Sequence, residues 1–201
     1  LSGKTIVTPL ASTQMENTIF EYGDRPYLLF VGTLEPRKNL NRILLAFKQA
    51  MPAIGDVRLV VIGAQGWMDD LNKIIDSEGL RQRIDLLGHV DDEHLHGFYQ
   101  HAIALLLPSL YEGFGLPALE AMTYGVPVIG SNNSSVPEVV GEGGILVNPL
   151  SMDEISNAIQ EIVNNVERRH SLSRSAYLQA QQYSWENTAA QTLDCILGSE
   201  D

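Results

Sequence analysis

Residues 27–63 read YLLFVGTLEPRKNLNRILLAFKQAMPAIGDVRLVVIG, and the pattern of apolar residues along them indicates the fold class. It begins with an apolar run that ends at Gly32 and continues, over residues 39–51, with apolar residues at helical spacing. A second apolar run then ends at Gly63. Both runs are apolar along most of their length rather than at every second residue, which is typical of strands buried on both faces. The stretch therefore predicts a strand, a helix and a parallel strand.

The rest of the chain continues this alternation and then becomes helical. Further strands are predicted at 84–88, 103–107, 126–129 and 144–147, and further helices at 67–78, 92–101, 116–124, 152–165, 167–182 and 185–197. We therefore expect an α/β fold with a doubly wound, Rossmann-like parallel sheet and a helical C-terminal tail. Residues 1–25 are weakly patterned and are interpreted as a linker, while residues 26–201 are interpreted as one domain that includes the tail.

Composition excludes several classes of function. The chain has 201 residues, of which 44% are hydrophobic, and a net charge of −12, so it is neither disordered nor suited to binding nucleic acid. Cys195 is the single cysteine, which rules out an internal disulfide and favours a reducing compartment. No apolar run approaches the roughly 20 residues that span a bilayer, so no transmembrane segment is expected.

The loop that follows the first predicted strand carries two cations. In sheets of this kind ligands bind at the carboxyl ends of the strands. Arg37 and Lys38 lie where a helix is predicted to begin near Asn39, and helix N-termini favour anions through their free backbone N–H groups. Positive charge at this place in an acidic chain points to an anionic ligand. The alternative is a solvated charge pair with Glu35 as the local partner.

The loop after the fourth predicted strand combines two glycines with two carboxylates. Gly113 and Gly115 let the backbone approach a ligand closely and offer N–H donors. Glu112 precedes the following helix, and Glu120 lies eight positions further on. If the loop folds Glu112 back over the helix start, both carboxylates face one cavity, where they suit the diols of a sugar or ribose. The alternative is that Glu112 caps the helix and Glu120 is solvated.

Three weaker patterns concern cofactors. Residues 113–118 match G-x-G-x-x-A, a pattern found in dinucleotide-binding sites. Such a site should follow the first strand, whereas this match follows the fourth. It should also have an acidic residue about 20 positions later, and residues 129–134 contain no acidic residue. His94 and His96 point to different faces of a helix and are interpreted as surface histidines. Residues 88–90 can present backbone groups to a base, with a plain strand-to-helix turn as the alternative. We predict no cofactor and no metal site.

Together, the two main loops resemble the C-terminal, donor-binding domain of retaining glycosyltransferases with the GT-B fold, in glycosyltransferase family 4. Residues 112–120, EGFGLPALE, are similar to the family's E-x7-E motif, and residues 32–39, GTLEPRKN, are similar to its phosphate-binding loop. The resemblance extends over residues 26–197. It implies one half of a GT-B fold, a reaction without a metal, and retention of anomeric configuration without a protein nucleophile.

The resemblance also implies roles for the cationic loop. Lys38 is similar to the family's basic residue on the donor diphosphate. Many members have an arginine directly after the strand glycine, Gly32, where this chain has Thr33. Either Arg37 takes over that charge, or Thr33 contributes only a hydroxyl hydrogen bond.

The two carboxylates receive distinct roles from the resemblance. Glu112 is similar to the glutamate that contacts donor-sugar hydroxyls near the reacting carbon, so Glu112, Lys38 and Arg37 are the expected catalytic residues. Glu120 is similar to the glutamate that binds the nucleotide ribose. The other expected donor-binding residues are Gly32, Thr33, Gly88, His89, Val90, Gly113, Phe114, Gly115 and Leu116.

The version of the first loop found here resembles that of bacterial enzymes of polysaccharide and O-antigen assembly, several of which use GDP-mannose. We therefore expect a transferase that moves mannose to a glycan or lipid-linked acceptor, in the cytoplasm and peripherally at the inner membrane face. A UDP-sugar donor and a non-catalytic nucleotide-sugar-binding or regulatory module are the alternatives, and an NAD-linked oxidoreductase is a distant third.

The length is that of one GT-B domain with its tail. Because such enzymes hold the acceptor mainly with an N-terminal domain, we expect this chain to be the donor-binding half of a larger transferase. Alone, it is expected to bind a nucleotide sugar and to transfer nothing.

Overall fold

The computed structural model describes residues 8–16, 18–64, 66 and 71–197. Among these residues, six strands form one sheet: β1 (Tyr27–Val31), β2 (Arg58–Ile62), β3 (Ile84–Gly88), β4 (Leu105–Leu107), β5 (Val128–Ser131) and β6 (Gly144–Val147). The helices are α1 (Leu40–Ala50), α2 (Leu71–Ser77), α3 (Asp92–His101), α4 (Leu116–Thr123), α5 (Val136–Val140), α6 (Met152–Asn164), α7 (Val166–Ala180) and α8 (Trp185–Leu197). Short 3-10 turns occupy Pro36–Lys38 and Met51–Ala53.

The strands are parallel and lie in the order β3-β2-β1-β4-β5-β6. The chain winds outward from β1 to β3 and then returns to the other side of β1 with β4. The switch point, where the winding direction reverses, therefore lies between β1 and β4, and Leu29 is in register with Leu105 there. Ligands bind outside the carboxyl ends of the two strands at such a point. The two loops singled out in the sequence are the ones that follow β1 and β4.

Helices cover both faces of the sheet, which explains why β1 is buried along its whole length. Leu28 and Phe30 belong to an apolar core shared with α1, α2 and α6. Leu29 faces the opposite way, into a core shared with α3, α4, α5 and α7. The doubly wound, Rossmann-like parallel sheet and the helical C-terminal tail are both confirmed.

Some element boundaries differ from those predicted. Strand β4 begins at Leu105 rather than 103, and β5 spans Val128–Ser131 rather than 126–129. The shift in β5 has a local cause, because the N–H of Val126 bonds to Ala121 at the end of α4 and Pro127 has no N–H to donate. Helix α5 was missed by the sequence analysis. The first part of the helix predicted at 67–78 lies outside the described residues.

The segment predicted as a linker contacts the folded domain. Residues 8–16 and 18–25 form neither helix nor strand, and residues 1–7 lie outside the described part of the chain. The Phe20 ring stacks on His101 with centroids 4.0 Å apart. The backbone of Ile19 crosses α3 at Gly97, where a Cβ would lie 2.2 Å from the Ile19 carbonyl oxygen. Gly97 thus permits this close approach.

A partly buried ion pair ties the same segment to the edge of the sheet. Arg58 on β2 makes a two-pronged contact with the Asp85 carboxylate on β3, and the Tyr22 hydroxyl donates to the same carboxylate. Burial by itself raises the pKa of Asp85, but the hydrogen bonds from Arg58 and Tyr22 outweigh burial and hold that pKa below its usual range. Burial and the bond to Asp85 also raise the pKa of Tyr22 to about 12, so the hydroxyl remains a donor.

Asp85→Asn is expected to lower the free energy of unfolding by about 2 kcal/mol near neutral pH, because Arg58 loses its anionic partner. Because the folded-state pKa is depressed, the contribution of Asp85 is complete above the usual carboxyl value of 3.8 and is lost as the pH falls through the folded-state value. Urea unfolding is therefore expected to separate the two proteins less at pH 3 than at pH 7. Asp76→Asn, which removes the exposed pair with Arg81, is the matched control and is expected to leave the midpoint unchanged. Equal midpoints for Asp85→Asn and the parent chain at pH 7 would contradict this role.

Candidate functional site

The loop after β1 places two cations at the switch point. Gly32 ends the strand with φ 149°, and Asn39 precedes α1 with a left-handed φ of 62°. The intervening 3-10 turn carries Arg37 and Lys38. Lys38 is buried, with 5% of its surface exposed, whereas the Arg37 side chain is 43% exposed. The sequence predicted the helix start near Asn39 but not the burial of Lys38.

The side chain of Asn39 joins this loop to its neighbours. Its amide nitrogen donates to the carbonyl oxygens of Pro108 at 2.9 Å and Pro149 at 2.7 Å. Arg42 donates in turn to the Asn39 side-chain oxygen at 2.6 Å. These bonds hold the loops after β1, β4 and β6 together at one edge of the sheet. Sequence reasoning treated Asn39 only as a helix start.

The loop after β4 leads directly into α4. Gly115 precedes the helix with φ 99°, a conformation that a side chain would strain, so glycine is required there. Phe114 is half-buried, and its ring packs edge-on against Tyr183 at 5.8 Å. Gly113 and Leu116 are exposed. The backbone N–H groups at the start of α4 therefore lie at the same edge as the cations.

The structure brings Glu112 into direct contact with both cations. Lys38 Nζ lies 2.7 Å from Glu112 Oε1, and an Arg37 terminal nitrogen lies 3.1 Å from Oε2. Ser109, which is fully buried, donates to Oε1 at 2.7 Å. Arg37 also pairs with Glu35 at 2.8 Å, as the alternative interpretation of the sequence expected. We call Arg37, Lys38, Ser109 and Glu112 the charged cluster.

A serine-rich loop after β5 supports the backbone of the charged cluster. The Ser134 hydroxyl accepts from the Glu112 N–H at 3.2 Å. The Ser135 hydroxyl donates to the carbonyl oxygens of Glu112 at 3.1 Å and Phe114 at 2.9 Å. Sequence reasoning missed Ser109, Ser134 and Ser135. The available signal was that hydroxyl residues follow β4 and β5, which end at the same edge of the sheet.

Glu120 has a hydrogen-bond partner outside the charged cluster. It lies on α4, is half-buried, and accepts a 2.7 Å hydrogen bond from the hydroxyl of Tyr99 on α3. Among the described residues, no cation pairs with it. Glu112 and Glu120 thus have different partners, and Tyr99 is a further residue that sequence reasoning did not identify.

The remaining predicted site residues follow β1 and β3. Thr33 is exposed in the loop after β1. Gly88 ends β3 with φ 70°, and its carbonyl oxygen accepts from the N–H of Gly63 at 2.8 Å. His89 is exposed, whereas Val90 is half-buried against the core of α3 and α4. These groups lie at the carboxyl edge of the sheet, on the β3 side of the charged cluster.

The histidines form local contacts. The Asp91 side chain accepts from the backbone N–H of His94 at 3.0 Å, and hydrogen bonds from His94 lower the pKa of Asp91. His96 bonds instead to the Tyr124 hydroxyl at 2.8 Å. Within the described ranges, no group of His, Cys, Asp or Glu side chains could hold a metal ion. Nor is any helix there long and apolar enough to cross a bilayer.

Several known proteins are similar to this chain in sequence and in fold. The O-antigen chain mannosyltransferase B of Escherichia coli is 42% identical over 171 residues, which cover 84% of this chain and 45% of that protein. Sucrose-phosphate synthase from Thermosynechococcus elongatus has a similar structure, with a TM-score of 0.76 at 29% identity over 87% of this chain and 45% of that chain. The C-terminal domain of a glycosyl transferase group 1 family protein from Francisella tularensis has a similar structure, with a TM-score of 0.72 at 23% identity. That match covers 88% of this chain and 95% of the Francisella tularensis chain.

This chain therefore spans less than half the length of the Escherichia coli relative. The Francisella tularensis domain, by contrast, is matched over nearly its whole length. The family model described as glycosyl transferases group 1 matches residues 12–179, a range that includes the charged cluster and Glu120. The match covers well over half of the sequence, so the chain belongs to the glycosyl transferases group 1 family.

Proposed function

We propose that this chain is the donor-binding half of a retaining glycosyltransferase of family 4, which transfers mannose from GDP-mannose to a glycan or lipid-linked acceptor. The observation that carries the proposal is the charged cluster at the switch point between β1 and β4, where buried Lys38 and exposed Arg37 converge on Glu112. The mannosyltransferase name of the Escherichia coli relative supports mannose as the sugar. Bacterial polysaccharide or O-antigen synthesis at the cytoplasmic face of the inner membrane is part of the same proposal.

The donor diphosphate is the anion that this site suits. When the bond between the anomeric carbon and the phosphate oxygen breaks, its electron pair goes to the diphosphate, which gains negative charge. Lys38, Arg37 and the backbone N–H groups at the start of α4 would stabilise that charge without reorganising. Arg37 would thereby supply the charge that many family members place at the position of Thr33. The proposal includes no metal in this role.

The sugar ring becomes positively charged in the same step. Glu112 would stabilise that oxocarbenium-like state and fix the sugar hydroxyls, since its carboxylate lies beside the cations that hold the leaving group. The acceptor hydroxyl oxygen then bonds to the anomeric carbon on the face that the diphosphate left. Its proton passes to the departing phosphate oxygen, so no protein nucleophile is needed.

A thermal-shift panel tests the proposal on this chain. GDP and GDP-mannose at about 100 times their dissociation constants are expected to stabilise it by about 2.7 kcal/mol, and EDTA is expected to leave that shift unchanged. A response to UDP and UDP-glucose instead would select the UDP-sugar alternative. A response to NAD alone would overturn the transferase proposal, and a loss of the shift in EDTA would overturn the metal-free role of the cations.

The competing function is a non-catalytic nucleotide-sugar-binding or regulatory module. The intact charged cluster disfavours it, because a module of that kind does not require a buried lysine beside a buried glutamate. Transfer assays distinguish the two functions. Once joined to its acceptor-binding domain, the chain should transfer sugar, whereas alone it should bind donor without transfer.

A further inference from the structure

Tyr99 lies outside both loops that define the proposed site, yet it contacts one of the site residues. Its side chain is fully buried, and its hydroxyl donates to Oε2 of Glu120 at 2.7 Å. The bond joins α3 to α4. A phenylalanine would fill the same apolar space, so packing alone does not account for the hydroxyl. Any specific role of the hydroxyl must therefore depend on its hydrogen bond to Glu120.

The Tyr99 hydroxyl is a permanent donor. Burial, together with the negative charge and the hydrogen bond of Glu120, raises the pKa of Tyr99 well above its ordinary value. The group therefore stays protonated at neutral pH. A buried hydroxyl that donates to a charged acceptor fixes that acceptor more firmly than a bond between neutral groups does.

The bond leaves most of the Glu120 carboxylate available. An ionised carboxylate offers about four lone-pair sites on two oxygens, and Tyr99 takes one of them. Within the described part of the chain, no donor pairs with Oε1. The nearby Tyr124 hydroxyl is engaged elsewhere, because it bonds to the Met15 N–H at 2.9 Å and to His96 at 2.8 Å. One carboxylate oxygen is thus fixed and the other is free.

We propose that Tyr99 is a positioning residue, which holds the Glu120 carboxylate in one orientation so that its free oxygen accepts from the ribose hydroxyls of the nucleotide. The inference rests on the proposed function, in which Glu120 binds the ribose. A glutamate side chain on a helix surface otherwise samples several rotamers, and ordering it costs free energy upon binding. Because the bond to Tyr99 already orders the Glu120 side chain when the protein folds, this free energy is not lost upon nucleotide binding.

The test compares a ribonucleotide with its 2′,3′-dideoxy form by calorimetry on this chain, using whichever of GDP and UDP binds more tightly. Tyr99→Phe removes the hydroxyl and keeps the ring. It is expected to weaken ribonucleotide binding about tenfold, in line with the loss of a charge-assisted hydrogen bond. Affinity for the dideoxy form, which offers no diol, is expected to stay the same. The preference for ribose therefore falls by about the same factor of ten.

Two controls isolate the contact with Glu120. Tyr124→Phe removes a neighbouring hydroxyl that is not bonded to Glu120 and should leave the ribose preference unchanged. In a Glu120→Ala background, Tyr99→Phe should have no further effect on ribonucleotide affinity, because the two changes act on one interaction. Urea midpoints of all variants show whether each one is folded.

The outcomes are distinguishable. An equal loss of affinity for both nucleotides, an unchanged ribose preference, or an additive effect in the Glu120→Ala background would each overturn the role of Tyr99. If the parent chain itself shows no ribose preference, the proposed role of Glu120 fails before any substitution is made. Binding of neither GDP nor UDP would instead reject the proposed function as a whole.

Discussion

Lys38→Ala is expected to lower turnover by on the order of 100-fold, or about 3 kcal/mol of transition-state stabilisation. Lys38 is buried and directly contacts Glu112, so its ammonium group is fixed before the donor binds. A fixed charge in a site that excludes water stabilises a developing negative charge more strongly than a mobile, solvated one. The substitution removes that charge from the leaving diphosphate and also leaves Glu112 with Arg37 as its one cationic partner in the described structure.

The measurement is steady-state transfer by the enzyme that carries both domains, with calorimetry of GDP and UDP on this chain. Lys48→Ala is the matched control, because Lys48 lies on α1 and pairs with Glu78 at an exposed position. That control should keep parental turnover. Full activity in the folded Lys38→Ala enzyme would refute the assignment of Lys38 to the diphosphate.

Glu112→Gln is expected to lower turnover by about 10²- to 10³-fold, a loss typical of removing one electrostatic stabiliser. The amide keeps the shape of the side chain and an oxygen that can accept from Ser109 or Lys38, but it loses the negative charge that the developing cation on the sugar requires. Binding of GDP or UDP without a sugar should not weaken, because no favourable contact between Glu112 and the diphosphate is lost. The expected signature is thus a large loss of turnover with nucleotide affinity retained.

Glu35→Gln serves as the control for Glu112→Gln. Glu35 also pairs with Arg37, at 2.8 Å, but its carboxylate is not bonded to the Lys38 ammonium group, and its side chain is more exposed than that of Glu112. Its neutralisation should change turnover by less than about tenfold, as is usual for an exposed ion pair. If both glutamines lowered turnover equally, the effect would arise from Arg37 alone. A parallel loss of nucleotide affinity and turnover in Glu112→Gln would place Glu112 on the nucleotide rather than on the sugar.

The elements of the fold were largely predictable from local patterns. In α1, Leu40, Ile43, Leu44 and Phe47 recur at helical spacing, and all four are buried. Likewise, strand β1 is apolar along its length because helices cover it on both faces. The start of β5 moved for a reason of backbone chemistry: Pro127 cannot donate to a neighbouring strand, and the strand begins at Val128, two residues later than predicted.

The contacts among the candidate site residues could not be predicted from local sequence patterns. Lys38 and Glu112 are separated by 74 positions, and no local pattern indicates that they form an ion pair. Tyr99 and Glu120 are 21 positions apart, in two helices whose packing depends on the sheet beneath them. The sequence left open whether Glu112 and Glu120 face one cavity. In the structure, each carboxylate has its own donors.

Local sequence was enough to assign the strands and helices and to identify the loops that carry glycine, cation and carboxylate. These properties depend on hydrophobic period and backbone preference within a few residues. The position of β4 beside β1, in contrast, emerged from the folded chain, because strand order arises from the packing of helices on both faces of the sheet. That adjacency brings the loops after β1 and β4 together, buries Lys38 against Glu112, and turns two separate motifs into one site.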